Sequence, residues 1–131
     1  ASTQGRHGTK YGAAYSASKW GLIGLMKSAA LELGEYKITV NAVVPGLIDT
    51  PLTRHRQRYA QAVDDLDSTM PTAALEADAK KRLIAKSPLG IPWIEPEAIA
   101  PVVVFLASDD ASMVSGATYD VTGGDSANYN A

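Results

Sequence analysis

Tyr15-Ser16-Ala17-Ser18-Lys19 stands at the head of a long apolar run that ends at Leu33. Leu22, Leu25, Met26, Ala29 and Leu33 recur there at helical spacing, which predicts a helix from Tyr15 to about Leu33. Ala17, Gly21, Gly24 and Ser28 form a second, small-residue face that suits close backbone approach. A glycine inside a helix costs about 1 kcal/mol against alanine, so packing is expected to require these two. Gly34 is the expected C-terminal cap. Positions i and i+4 share a helix face, so the Tyr15 phenol and the Lys19 ammonium can point into one site. A nearby ammonium favours phenolate, and a tyrosine so tuned can pass a proton to or from a substrate oxygen. Taken alone, the pair reads more plainly as a surface tyrosine and lysine at helical spacing by chance.

The flanking segments decide between these readings. Ser2 lies thirteen positions before Tyr15, with Gly5 between them. After the helix come Val40-Asn41, Pro45-Gly46 and Thr50, then Phe105-Leu106-Ala107-Ser108-Asp109, then Gly123-Gly124. In content and order these resemble the active-site half of a short-chain dehydrogenase/reductase. The resemblance spans nearly the whole chain and is weakest from about Arg54 to Pro92. Ile91-Pro92-Trp93-Ile94-Glu95-Pro96 and the long stretch before it resemble carveol-dehydrogenase-like members in particular.

The resemblance implies an α/β fold, the C-terminal half of a Rossmann-like, doubly wound parallel sheet. It implies a nicotinamide cofactor, NAD or NADP, and hydride transfer to or from an alcohol or ketone. Tyr15 would be the general acid/base. Lys19 would lower its pKa and hydrogen-bond the nicotinamide ribose. Ser2 would hold the substrate oxygen, with Thr3 as the fallback hydroxyl. The backbone near Ile48 would meet the carboxamide and the Thr50 hydroxyl the carboxamide or a phosphate, with Pro45 and Gly46 beside them. Family members also use the first helix in a dimer contact, where Trp20 or Met26 could serve; both are otherwise ordinary core. A homodimer or homotetramer is the implied assembly. An epimerase, dehydratase or isomerase with bound cofactor, or an inactive fragment, are the alternatives.

Several residues keep a plainer reading. Ser2 is also a good turn serine. Gln4 and His7 are loop residues that could face substrate, though a solvated role is the plainer account. Asn41 reads as structural and needs hydrogen-bond partners inside its strand. Thr50 before Pro51 is also a helix N-cap. Arg54-His55-Arg56-Gln57-Arg58 is a basic cluster that could meet an acidic substrate, though a solvated helix face is the plainer account. Lys80, Lys81 and Arg82 among Glu76 and Asp78 read as surface.

Ile38 to Val44 predicts a strand buried on both faces. Gly46 at its end lets the backbone approach a ligand. Leu52 to Asp64 and Thr72 to Ala85 predict two helices of a substrate-covering insertion over residues 52–87. Glu95-Pro96-Glu97 opens a helix running to about Ser108, with Pro101 bending or delaying it. Ala117 to Val121 is the last expected strand, followed by a polar tail to Ala131.

Composition narrows the rest. The 131 residues are 46% hydrophobic with a net charge of −2, which fits one domain and no nucleic-acid footprint. Without cysteine there is neither a disulfide framework nor a thiolate metal site. His7 and His55 have no ligand-like spacing, so no metal is expected. No segment reads as a signal peptide or a bilayer span, and a cytoplasmic enzyme is the expectation. No Gly-rich dinucleotide turn follows a strand. The expectation is therefore that the dinucleotide-binding half lies outside these residues, and that the isolated chain is inactive.

Overall fold

The structure is a computed structural model and describes residues 1–129. Among them, helices α1 (Ala13–Leu33), α2 (Arg56–Ala62), α3 (Thr72–Lys86) and α4 (Ala100–Leu106) accompany strands β1 (Ala42–Pro45) and β2 (Thr118–Val121). The strands pair in parallel, from Ala42 against Thr118 to Pro45 against Val121. A parallel pair needs a crossover, and α2, α3 and α4 supply it. The class is α/β, as the sequence implies.

β1 is shorter than the apolar run that predicted it. Before Ala42 the backbone bonds to the loop ahead of β2 instead of to a ladder. Gly116 N–H donates to the Val40 carbonyl at 2.7 Å, and Val40 N–H donates to the Ser115 hydroxyl. Asn41 finds both of its partners there: its Nδ2 donates to the Val114 carbonyl at 2.8 Å, and its Oδ1 accepts from Ala117 N–H. Burial on both faces does not hold either. Ala42 and Val44 are buried, whereas Ile38 is half exposed. The Ala42 and Gly46 amides bond toward β2, so by strand alternation Val43 turns to the other edge. There its carbonyl accepts from the Ala1 nitrogen at 2.8 Å, which lays Ala1–Ser2 alongside β1.

One core joins Ile23 and Met26 of α1 to Ala42 and Val44 of β1, closed by Ala1 and Val40. Met26 is thus core, while Trp20 is 53% exposed. The buried face of α1 is turned from the expected one: Ser16, Ile23 and Met26 are buried, and Leu22 and Leu25 are exposed. What lies against α1 is the Ser2–Arg6 turn and β1, and those meet the Ser16–Ile23–Met26 side. Added Cβ atoms on Gly21 and Gly24 would touch nothing among the described residues, so packing within the chain does not explain these glycines. Gly34 stays right-handed and continues into a 3-10 turn; the left-handed residue that ends it is Lys37, at φ 61°.

A second core gathers Tyr59 and Ala60 of α2, Leu75 and Ala79 of α3, and Trp93. Full burial of a leucine such as Leu75 contributes about 1.5–3 kcal/mol. Arg54 caps this core. Its guanidinium lies 4.1 Å from the Trp93 ring centroid and pairs with Asp49 at 2.8 Å and Glu76 at 2.5 Å. Glu76 is therefore an ion-pair partner and not plain surface. α2 starts at Arg56 with His55 in the cap position, so Thr50–Pro51 does not open it. Residues 50–54 form a separate turn, because the Thr53 hydroxyl takes the carbonyls of Ile48 and Thr50. The next helix starts later than expected: Pro96–Ala98 is a 3-10 turn, and Pro101 sits in the first turn of α4. There its missing N–H leaves no bond unmade. Part of the expected polar tail, residues 130–131, lies outside the described residues.

Candidate active site

The C-terminal ends of β1 and β2 open onto a cleft of about 570 Å³. Six of the sequence-derived site residues line it: Ser2, Tyr15, Pro45, Gly46, Ile48 and Thr50. The seventh, Lys19, lies behind. Its Nζ is 5.2 Å from the Tyr15 ring centroid, the placement that helical i, i+4 spacing dictates.

Ser2 arrives here through a tight turn. Its hydroxyl accepts from Gln4 N–H at 3.3 Å and caps the 3-10 turn Thr3–Gly5. Gly5 is buried where that turn crosses α1, and a Cβ there would stand 2.8 Å from the Lys19 carbonyl oxygen. Ser16, itself buried, donates its hydroxyl to Gln4 Oε1 at 3.2 Å. The turn bearing Ser2 is thus clamped to the helix bearing Tyr15 at two points.

The loop after β1 is fixed as firmly. Ile94 N–H donates to the Leu47 carbonyl and Asp49 N–H to the Ile94 carbonyl, both at 2.8 Å. With Leu47 and Asp49 bonded to Ile94, alternation turns the Ile48 amide the opposite way. Thr53 holds the other flank. Gly46 allows a close approach, though to protein: a Cβ would lie 3.0 Å from Thr122 Cα. Gly46 also lines the cleft.

The structure decides one residue that the sequence leaves open and adds others that it does not mark. His7 lines the cleft and stacks on Tyr129, with ring centroids 4.3 Å apart and planes 18° apart. Its Nδ1 bonds the Thr3 carbonyl at 2.8 Å, so His7 is not a solvated loop residue. Tyr129 donates its hydroxyl to Asp125. Burial, and then that carboxylate, push the Tyr129 phenol well above the ordinary tyrosine range. Arg6 pairs with Asp120 of β2 at 2.5 Å. No motif marks these pairs, whose members lie up to 122 positions apart. Thr53 had a local signal, a hydroxyl three residues after Thr50. Among the described residues no three His, Asp or Glu side chains gather to hold a metal, and no helix is long and apolar enough to cross a membrane.

Residues 1–61 match the family described as short chain dehydrogenase, and residues 68–126 match the one described as enoyl-(acyl carrier protein) reductase. Human (3R)-3-hydroxyacyl-CoA dehydrogenase is 41% identical over 110 residues, which are 84% of this chain and 34% of that protein. A carveol dehydrogenase from Mycobacterium avium, solved in complex with NAD, superposes with a TM-score of 0.83 at 33% identity. The match covers 95% of this chain and 43% of that one. An actinorhodin polyketide ketoreductase solved with NADPH gives 0.79 at 34% identity, over 95% of this chain and 44% of that one. The chain spans 40% to 44% of the length of the curated relatives that match nearly all of it.

Proposed function

The chain belongs to the short-chain dehydrogenase/reductase family, and from that premise we propose that it carries the active site of an NAD- or NADP-dependent oxidoreductase acting on an alcohol or ketone. Residues 1–131 then act as the C-terminal, active-site part of a Rossmann-like domain. A nicotinamide held by the Pro45–Thr50 loop would supply or take up the hydride at the carbinol carbon. Tyr15 Oη moves the proton: it donates to the carbonyl oxygen in reduction and accepts from the hydroxyl in oxidation. Lys19 lies over the Tyr15 ring and places a positive charge beside the reacting groups. The Ser2 hydroxyl donates to the same substrate oxygen and steadies the charge that develops there.

The observation that carries this reading is that Ser2 and Tyr15 share one cleft with the loop at the end of β1. Ligands of open α/β sheets sit at such strand ends. The residues suit the nicotinamide end of the cofactor: a turned-out Ile48 amide and the Thr50 hydroxyl are donors for a carboxamide. Leu52, Arg58, Leu83 and Lys86 line the same cleft, which supports residues 52–87 as the substrate-covering insertion. The exposed Trp20 and Leu25 of α1 and Val104 of α4 support a homo-oligomer built on these helices. We place the enzyme in the cytoplasm, where nicotinamide cofactors are available.

The test is Tyr15→Phe in the full-length protein. Turnover should fall by about 10²-fold or more with cofactor affinity little changed. Near-normal turnover would remove Tyr15 from the mechanism.

A further inference from the structure

A second cleft of about 440 Å³ lies beside the first, and Gln4, Tyr15, Leu52 and Arg58 line both. The two therefore share a wall that includes Tyr15. The chain is slightly acidic overall, at −2, yet the second cleft is lined by Lys10, His55 and Arg58 against the single acid Asp64. Two other arginines have carboxylate partners, Arg6 on Asp120 and Arg54 on Asp49 and Glu76, and Arg56 is taken up by the Ser68 and Met70 carbonyls. Lys10 and Arg58 have no carboxylate within ion-pair distance among the described residues. Lys10 lies over the Tyr11 ring, 5.1 Å from its centroid, and Arg58 bonds the neutral Gln61 at 3.1 Å. Two cations held on neutral partners keep their charge available to a ligand.

We propose that this second cleft is a subsite for an anionic terminal group of the substrate, a carboxylate or a phosphate, gripped by Arg58 and Lys10 while the reacting carbon lies at Tyr15. The inference deepens the oxidoreductase reading and rests on it. The cleft contains none of Pro45, Gly46, Ile48 or Thr50, so it lies away from the strand-end loop that suits the cofactor. That separation assigns the charge to the substrate. Arg58 lines both clefts, which suits it to orient a chain that bends from one into the other.

Steady-state kinetics of the full-length protein would test this with linear methyl ketones of increasing length. Each would end in a carboxylate, in the methyl ester of that carboxylate, or in a phosphate. The wild type should prefer the acid or the phosphate to the ester by about tenfold or more in kcat/KM at one chain length. The preference should lie mainly in KM and shrink with added salt. The better of the two anions identifies the group recognised. Arg58→Gln and Lys10→Gln should each reduce the acid-to-ester ratio, Arg58→Lys should keep most of it, and cofactor affinity should stay unchanged in all three. Equal kcat/KM for acid and ester in the wild type would overturn the subsite, as would a preference untouched by both glutamine variants. Turnover of no ketone at all would overturn the oxidoreductase reading and this inference with it.

Discussion

Gly5→Ala is a one-methyl change at a residue that has no side chain to take part in proton transfer, and it should still lower activity. A Cβ at Gly5 would stand 2.8 Å from both the Lys19 carbonyl oxygen and Ile23 Cδ1, and 3.1 Å from the Lys19 carbonyl carbon. The Ile23 methyl can rotate away. The Lys19 carbonyl is part of the hydrogen-bonded α1 backbone and cannot. Ordinary contact begins near 3.4 Å, so the Thr3–Gly5 turn has to lift from α1 by roughly 0.6 Å. Overpacking of this kind costs about 1–3 kcal/mol, or about 2–4 °C in Tm per kcal/mol for a domain of 150–250 residues. The turn carries Ser2 with it, because Gly5 N–H is bonded to the Ser2 carbonyl at 2.8 Å. A 1 Å misplacement of a positioned group can cost about 10²-fold, so roughly tenfold in kcat/KM is expected here. The Pro45–Thr50 loop is not touched, and cofactor affinity should stay near the wild-type value. The assay pairs thermal melting with alcohol oxidation under saturating cofactor. A variant that melts and turns over like the wild type would refute the clamp. One that melts lower at full activity would keep the packing argument and remove Gly5 from the positioning of Ser2.

Lys19→Met keeps length and removes charge. Turnover and cofactor affinity should both fall, each by about tenfold or more, and Lys19→Arg should recover part of both; equal loss in the two variants would argue for shape over charge. Tyr129→Phe tests the stacked pair through alkaline stability. The folded Tyr129 phenol is held above its ordinary value by burial and Asp125, so its contribution is fully present below the unfolded value of about 10 and is lost as pH rises beyond it. Urea midpoints of the wild type should therefore drop faster above about pH 10 than those of Tyr129→Phe, and parallel curves would contradict the assignment.

What the sequence made legible was local. Tyr15 and Lys19 stand on one helical face because four residues make about one turn, and no tertiary information is needed to say so. The β-branched run around Val40–Val44 marks a strand for the same reason. Its ends were not legible, because a ladder begins where a partner begins, and the segment before Ala42 had Ser115, Gly116 and the Asn41 side chain to bond instead. The buried face of α1 was misjudged because apolar residues surround that helix; the choice between Leu22–Leu25 and Ile23–Met26 belongs to whatever packs on it. Ser2 shows the boundary well. Its place in the cleft depends on a turn clamped by Gly5 and Gln4 to residues of α1 more than ten positions away.

The basic cluster Arg54-His55-Arg56-Gln57-Arg58 makes the same point in five residues. As a string it is one patch, to be given to solvent or to an acidic ligand as a whole. In the fold its three arginines have three different fates, because the turn at 50–54 ends where α2 begins and successive side chains point in different directions. Arg54 turns inward to Trp93, Asp49 and Glu76 and holds the second core. Arg56 donates to the Ser68 and Met70 carbonyls and ties down the segment between α2 and α3. Arg58 alone reaches the clefts without a carboxylate partner among the described residues. Charge counted along the sequence therefore overstates what is available to a ligand. In this cluster the count falls from three arginines to one, and the one that remains lines both clefts with Tyr15.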